Sequence, residues 1–361
     1  MQRGLSRRRF VELGVGALSL ALAETTGCAR SADEGEEMGD ALDALGESVS
    51  ASGATSEQTG ASVSAEQSKS PSESETAPSS TPSSTHPATY AIDDKVLADG
   101  RHMPVLGIGM WTLTSEQAEA SSYSALEQGY RLIDTAQYYG NEDGVGRAVR
   151  RAIADGLVTR DEVFVTSKIM PSRYNRAAES IDESLERLDI GYIDLMLIHQ
   201  PGSNDELLWR ALEDAVRANK VRSIGISNYY SAAAYDAIAA LAEIPVALVQ
   251  NENHPYNQNT ELKSYVEKTG GFVESWYPLG GRPGVSALLA DDTLNALAQA
   301  HNKTAAQIVL RWHVQSGYIA IPGSSNPEHI AENIDIFDFE LSAAEMEQIA
   351  SLNRAHRFEN W

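Results

Sequence analysis

From Tyr90 onward the chain alternates between short apolar runs and longer segments that mix apolar and polar residues. The short runs are rich in β-branched residues, which is the composition that strands favour. Eight of them predict strands, at Gly107–Met110, Arg131–Asp134, Val163–Lys168, Ile193–His199, Arg222–Ser227, Ala247–Gln250, Phe272–Trp276 and Tyr318–Pro322.

The longer segments have the apolar spacing of amphipathic helices, and Ile181–Leu188 and Leu207–Ala218 are two examples. A strand followed by a helix, repeated eight times, predicts a parallel sheet with crossover helices. Eight such units close into a (β/α)8 TIM barrel. A hairpin over Lys95–Val105, turning at Asp99 and Gly100, is expected to plug the bottom of this barrel.

Residues 1–30 differ from the rest of the chain and are similar to an export signal. The segment SRRRF resembles a twin-arginine motif, and the apolar run at residues 13–23 is too short for a comfortable membrane span. Cys28 ends the segment TTGC, which resembles a lipobox, although Thr25 stands where leucine or valine is usual. We expect export by the twin-arginine route and lipidation of Cys28. A disordered basic leader with a chance cysteine is the alternative.

Residues 31–90 are dominated by Ser, Thr, Ala, Glu and Pro and have almost no aromatic or branched apolar residue. Such a segment cannot bury enough apolar surface to offset its chain entropy. It is therefore expected to form a disordered linker between the leader and a globular domain over residues 91–361. If the leader is lipidated, the linker would tether that domain at the outer face of the cytoplasmic membrane.

The net charge of −23 disfavours nucleic acid and anionic membrane surfaces as partners, so we expect membrane contact only through a lipid anchor. The single cysteine excludes a disulfide framework and a cysteine-rich metal site. The sequence contains no HExxH, CxxC or P-loop motif, and its GIG segment lacks the third glycine of the Rossmann fingerprint. No metal is expected, and no pattern predicts the oligomeric state.

Four side chains with complementary chemistry lie near the C-terminal ends of predicted strands. Asp134, Lys168 and His199 end their strands, and Tyr139 follows Asp134 by five residues. Because these ends share one mouth in a barrel, we expect the four side chains to meet. A lysine ammonium beside a phenol lowers the phenol pKa from about 10, and a carboxylate paired with the lysine keeps it charged. The group is suited to protonating a developing alkoxide, and the hydride must come from a nicotinamide cofactor.

The segment from about Val96 to about Phe358 resembles the aldo-keto reductase family, in particular its bacterial members with short substrate loops. The motifs that carry the resemblance are LGIGMW, IDTAQYYGNE, VFVTSK, LMLIHQP, GISNY, VQNENHPY, WYPLG and IPGSSNPEHIAEN, in that order. The resemblance implies that Tyr139 is the general acid and that Lys168 tunes its pKa. It also implies that Asp134 pairs with the lysine, and that His199 orients the substrate carbonyl.

The same resemblance assigns residues to the nicotinamide end of the cofactor. Ser227, Asn228 and Gln250 match residues that bind the carboxamide, and Trp276 matches an aromatic residue stacked beneath the nicotinamide ring. Tyr277 is the alternative for that ring, because a shift of one residue in the alignment would exchange the two.

Ser324 and Asn333 match positions around the adenosine end of the cofactor. Trp111 matches a residue in the wall of the substrate pocket, and packing in the core is the alternative for it. Many family members carry a lysine and an arginine that bind the ribose 2′-phosphate. Gly323 and His329 occupy those places here. Without these two cations, a strict preference for NADPH is not expected. Because Ser324 and the backbone amides entering the helix at Asn326–Pro327 can bind a phosphate, the cofactor is expected to be NADPH, with NADH possible.

These observations predict an exported enzyme that reduces an aldehyde or ketone to an alcohol with NAD(P)H, acting on a small carbonyl substrate. Two alternatives stay open at this point. One is a non-catalytic, surface-anchored binding protein that keeps the reductase-like barrel. The other is an NADH-linked alcohol dehydrogenase.

Overall fold

The computed structural model describes residues 94–359. The predicted export leader, the lipidation of Cys28 and the linker over residues 31–90 lie outside these residues. Within the described part of the chain, no helix has the length and apolar character needed to cross a membrane.

Eight parallel strands form one sheet in which each strand pairs with its neighbour in the chain. The first and last strands also meet, because the Gly107 amide donates to Ala320 O at 2.8 Å and the Ala320 amide donates to Val105 O at 2.9 Å. The sheet is thereby closed into the predicted (β/α)8 barrel. Its strands are β3 (Ile108–Gly109), β4 (Leu132–Asp134), β5 (Phe164–Ile169), β6 (Ile193–Ile198), β7 (Val221–Ser227), β8 (Leu248–Glu252), β9 (Phe272–Trp276) and β10 (Ile319–Ala320).

All eight strands fall within the predicted runs to within a few residues, but β3 and β10 are shorter than predicted. Each pairs with its neighbour at only two residue positions. The hydrophobic pattern overestimates their length because apolar residues next to them, such as Met110 and Ile321, are buried but lie outside the paired strand residues.

Helices surround the barrel. The predicted segments at Ile181–Leu188 and Leu207–Ala218 are both helical. The α-helices of the described chain are α1 (Ser115–Gln128), α2 (Glu142–Ala154), α3 (Ala177–Leu188), α4 (Asp205–Arg217), α5 (Ala232–Ala239), α6 (Thr260–Lys268), α7 (Gly281–Leu289), α8 (Asp292–His301), α9 (Ala305–Gln315), α10 (Pro327–Ile334) and α11 (Ala343–Ala350).

A hairpin of β1 (Asp94–Val96) and β2 (His102–Pro104) precedes the barrel, as predicted. Gly100 adopts a φ of +83° in its turn, a conformation that glycine adopts without strain. Leu97 and Met103 are buried in the same apolar cluster as inward-facing strand residues such as Leu195. Asp99 accepts a hydrogen bond from the Ser223 hydroxyl near the start of β7. The hairpin thus plugs the end of the barrel where the strands begin.

Gly146 in α2 allows that helix to pack closely on α3. A Cβ atom at this position would lie 2.0 Å from the backbone oxygen of Leu188. Because the obstacle is backbone, we expect Gly146→Ala to lower the free energy of unfolding by about 1–3 kcal/mol. Chemical denaturation measures this, with Ile153→Ala on the exposed face of α2 as the control. Equal stability of the Gly146 variant and the wild type would contradict the packing argument.

Candidate active site

The C-terminal mouth of the barrel holds the four side chains predicted to meet. Lys168 Nζ donates to Asp134 Oδ1 at 2.5 Å and to the Tyr139 hydroxyl at 3.0 Å. A third hydrogen bond, to Thr135 O at 3.0 Å, uses the last proton of the ammonium. The ring of His199 lies edge-on to that of Tyr139, with centroids 5.6 Å apart. The structure thus brings the four side chains together, since β4, β5 and β6 are adjacent in the barrel.

The loop that carries Tyr139 is held in place by an asparagine. Tyr139 ends a 3-10 turn, and Gly140 follows it with a φ of +70°. The Asn141 amide is fully buried and donates to Met110 O at 2.8 Å and to Leu113 O at 2.9 Å. These bonds tie the loop after β4 to the loop after β3, so the phenol position is fixed by two connections of the barrel mouth.

Burial changes the proton affinities of the tetrad. Burial alone would lower the pKa of Lys168, but attraction to Asp134 and Tyr139 outweighs it and raises that pKa above its ordinary value. For Tyr139, burial raises the pKa, and the nearby Lys168 ammonium offsets this only in part. The net direction is opposite to the lowering expected from the sequence, because the phenol is removed from water. Tyr139 therefore keeps its proton at neutral pH.

His199 is a neutral imidazole in this environment. Burial, with a smaller contribution from the Lys168 ammonium, lowers the pKa of His199 to about 3. Among the described residues, no partner accepts or donates a hydrogen bond at its Nδ1. A neutral ring at this place can hydrogen-bond an oxygen but is a poor source of a proton at neutral pH. Tyr139 is therefore the better proton donor of the two.

Three amide and hydroxyl side chains follow on the next strands. Asn228 has a φ of +69° and donates to His199 O at 2.9 Å and to Ser227 Oγ at 3.2 Å. Its own Oδ1 accepts from Trp276 Nε1 at 3.2 Å. Gln250 pairs with Ser227 in strand register, and its backbone oxygen accepts from the Asn228 amide at 2.9 Å. The predicted nicotinamide-binding residues thus form one hydrogen-bonded group beside the tetrad.

These residues border one cleft that opens at the barrel mouth. Lys168 lies beneath Tyr139 and is not part of the cleft lining. The cleft is lined by Gly109, Trp111, Asp134, Tyr138, Tyr139, Met170, His199, Gln200, Ser227, Asn228, Gln250, Trp276, Tyr277, Ile321 and Gly323.

Aromatic rings form one wall of the cleft. Trp111 is part of it and not of the core, and its ring centroid is 4.8 Å from that of Tyr139. Tyr138 is 57% exposed and stacks on Trp111. The Trp111 indole donates to the Tyr277 hydroxyl at 3.1 Å, which links the loops after β3 and β9 across the cleft. Trp276 and Tyr277 thus face different neighbours although they are adjacent in sequence.

The two residues predicted at the adenosine end do not line the cleft. Ser324 follows Gly323, which does line it, and Ser324 Oγ accepts from the Asn326 amide at 3.1 Å just before α10. Asn333 is 6% exposed, near the end of α10. Their assignment to the cofactor stays a prediction.

Two buried carboxyl groups near the barrel mouth were not predicted from the sequence. Glu252, at the end of β8, accepts from the backbone amides of Phe358 at 2.5 Å and Glu359 at 3.2 Å, and its carboxylate is 2.9 Å from His254 Nε2. It thereby holds the C-terminal segment against the barrel. Glu274, in β9, is fully buried and is the register partner of Gln250, whose side chain donates to it at 2.7 Å. The only signal of either in the sequence is an acidic residue inside a predicted strand or at its end.

Comparison with known proteins agrees with this geometry. Residues 105–354 match the model of the aldo/keto reductase family. The chain belongs to the aldo-keto reductase family. It is therefore an oxidoreductase, as the sequence predicted.

Relatives of this reductase include enzymes that are named for different substrates. The NAD(P)H-dependent D-xylose reductase of Candida tropicalis is 35% identical over 301 residues, which cover 73% of this chain and 93% of the relative. The morphine 6-dehydrogenase of Pseudomonas putida is 39% identical over 275 residues, covering 72% and 91%. The crystal structure of a Bombyx mori aldo-keto reductase in complex with NADP superposes with a TM-score of 0.70 at 32% identity, covering 74% of this chain and 95% of that one.

Proposed function

We propose that this reductase converts an aldehyde or ketone to an alcohol, with Tyr139 as the proton donor and NADPH as the hydride source. The observation that carries the proposal is the partly buried Tyr139 hydroxyl, 3.0 Å from Lys168 Nζ at the floor of the cleft. A protonated phenol beside an ammonium can give its proton to an alkoxide while the ammonium stabilises the phenolate that remains. His199, as a neutral donor, would orient the carbonyl oxygen.

The groups beside the tetrad fit a nicotinamide ring. A carboxamide offers one oxygen acceptor and two N–H donors. The Ser227 hydroxyl accepts from Asn228 and keeps its own proton to donate, and the Gln250 side chain reaches the same cleft. Trp276 is fixed through its hydrogen bond to Asn228 and presents an aromatic surface next to them. Bound there, the reduced cofactor would supply the hydride that no side chain can provide. The relatives named above that carry NAD(P)H or NADP in their names support this cofactor.

The preference between the two cofactors rests on the residues after β10. Gly323 and His329 provide no fixed cation for a 2′-phosphate, which favours NADH as a second candidate. Ser324 and the backbone amides at the start of α10 can bind a phosphate, which supports NADPH.

A fluorescence titration of the full chain with NADPH and with NADH tests the proposal. Quenching of Trp276 and its neighbours reports binding, and the ratio of the two dissociation constants measures the preference. Binding of either cofactor together with turnover of aldehydes or ketones supports the reductase. Binding without turnover of any carbonyl would favour a non-catalytic barrel, and the absence of binding would contradict the proposal.

The low pKa of His199 leads to a prediction on pH dependence. Since the group is neutral from about pH 5 upward in the folded protein, its titration should cause no step in kcat/KM between pH 5 and 8. His199→Gln, which cannot titrate, should lower the rate but leave the shape of the pH profile unchanged over this range. A step near pH 6.5 that disappears in the variant would show that the imidazole titrates as an exposed histidine does.

We also propose that residues 1–30 direct export by the twin-arginine route and that Cys28 carries a lipid. The support is the SRRRF segment and the position of the only cysteine. The route transports folded proteins, so the barrel would fold, and could bind its cofactor, before export. Fractionation and mass spectrometry test this. A soluble protein with an intact, unlipidated N-terminus would contradict it.

A further inference from the structure

Glu274 is a fully buried carboxyl group that the proposed chemistry does not use. It is the third residue of β9, and its side chain points into the barrel below the cleft. Its Oε2 accepts a hydrogen bond from Gln250 Nε2 at 2.7 Å. Its Oε1 has no hydrogen-bond partner among the described residues. A buried carboxyl group with so few hydrogen-bond partners lowers the stability of the fold. Its position beside Gln250 therefore suggests a role other than stabilising the barrel.

The side-chain amide of Gln250 is held between two carboxyl groups. Nε2 donates to Asp134 Oδ2 at 2.7 Å and to Glu274 Oε2 at 2.7 Å, so both of its protons are used. Rotating the amide by half a turn would place its oxygen against Asp134, whose carboxylate is paired with Lys168. That contact is repulsive. The Gln250 nitrogen therefore faces inward, and its Oε1 is left to face the cleft that Gln250 lines.

The charges of the buried cluster agree with this arrangement. Burial, together with the neighbouring charge of Asp134, raises the pKa of Glu274 to about 8. At neutral pH Glu274 is thus protonated, and its Oε2 still accepts from Gln250. Asp134 and Lys168 compensate each other, and Tyr139 is neutral. The interior below the cleft then carries no net charge.

We infer that Glu274 is a positioning residue that fixes the polarity of Gln250, so that the Gln250 oxygen accepts an N–H of the nicotinamide carboxamide. The inference rests on the proposed function. It assigns the two ends of the carboxamide, with the Ser227 hydroxyl as donor to its oxygen and Gln250 Oε1 as acceptor for its nitrogen. Without Glu274, one Gln250 proton loses its partner and the amide is held through its bond to Asp134 alone, so the direction of its oxygen is less well fixed.

The test compares binding of NADPH with binding of its acetylpyridine analogue, in which a methyl group replaces the carboxamide nitrogen. In the wild type the analogue should bind about tenfold more weakly, because one hydrogen bond is lost. Glu274→Met keeps the length of the side chain but offers Gln250 no oxygen. It should bind NADPH about tenfold more weakly and distinguish the two ligands less than about threefold. Glu274→Gln retains an acceptor oxygen and should behave as the wild type.

Asp194→Asn is the matched control, since Asp194 is a buried carboxylate on β6 that pairs with Arg160 away from the cleft. It should leave both affinities unchanged even if it lowers stability. Equal binding of NADPH and the analogue by the wild type would overturn the inference without any variant. So would wild-type discrimination in Glu274→Met, or its loss in a folded Glu274→Gln. Failure of the wild type to bind NADPH at all would instead contradict the proposed function.

Discussion

Tyr139→Phe is expected to lower kcat for carbonyl reduction by about 10²–10⁴-fold, the range that a positioned general acid contributes. The substitution removes the hydroxyl but keeps the ring that contacts Trp111 and His199. Lys168 retains its bonds to Asp134 and Thr135. Affinity for NADPH should therefore change little. Steady-state kinetics and the cofactor titration measure the two effects separately.

Tyr138→Phe is the control for this experiment, because the two phenols are adjacent and both line the cleft. Tyr138 has no hydrogen bond to Lys168 and is 57% exposed, so its loss should lower kcat less than about tenfold, well short of a general-acid effect. If Tyr139→Phe stayed near the wild-type rate, or if Tyr138→Phe had the larger effect, the assignment of the proton donor would be wrong.

Lys168→Met is expected to affect both stability and activity. It leaves the Asp134 carboxylate buried without its ammonium partner, which costs about 3–5 kcal/mol of unfolding free energy in comparable buried pairs. It also removes the charge that stabilises the Tyr139 phenolate, so kcat should fall by orders of magnitude. Denaturant unfolding and steady-state kinetics measure these two losses.

The double variant Asp134→Asn, Lys168→Met separates the loss of stability from the loss of activity. With both charges removed, no unpaired ion remains in the barrel, and much of the lost stability should return. Activity should not return, because the phenolate still lacks its ammonium. Recovery of activity along with stability would show that Lys168 serves only as half of a structural ion pair.

The alternation of strands and helices predicted the barrel because each strand is a short run of apolar residues that is buried on both faces. It also predicted that Asp134, Lys168 and His199 would share a mouth, since parallel strands place their ends on one side. The shift in the pKa of Tyr139 could not be predicted in this way. Its sign depends on how far the loop after β4 carries the phenol out of water, and Asn141 and its distant backbone partners set that depth.

The same limit applies to contacts between residues far apart in the chain. Trp111 meets Tyr277 across 166 positions, and Glu252 holds the amide of Phe358 across 106. A single sequence gives no signal for such pairs. Glu274 is marked only as an acidic residue in a strand, and its position beside Gln250 follows from the register of β8 and β9.

The central claim is that this protein reduces a carbonyl group by hydride transfer from NADPH. Its most direct test is the transfer of deuterium from NADPH that is labelled at either of the two positions from which hydride can be transferred. With an aldehyde or ketone that the enzyme turns over, mass spectrometry shows whether the carbinol carbon of the alcohol carries the label. A cofactor held in one orientation by Ser227 and Gln250 should transfer deuterium from one labelled form and not from the other. Unlabelled alcohol from both forms, or no turnover of any carbonyl by protein that binds NADPH, would contradict it.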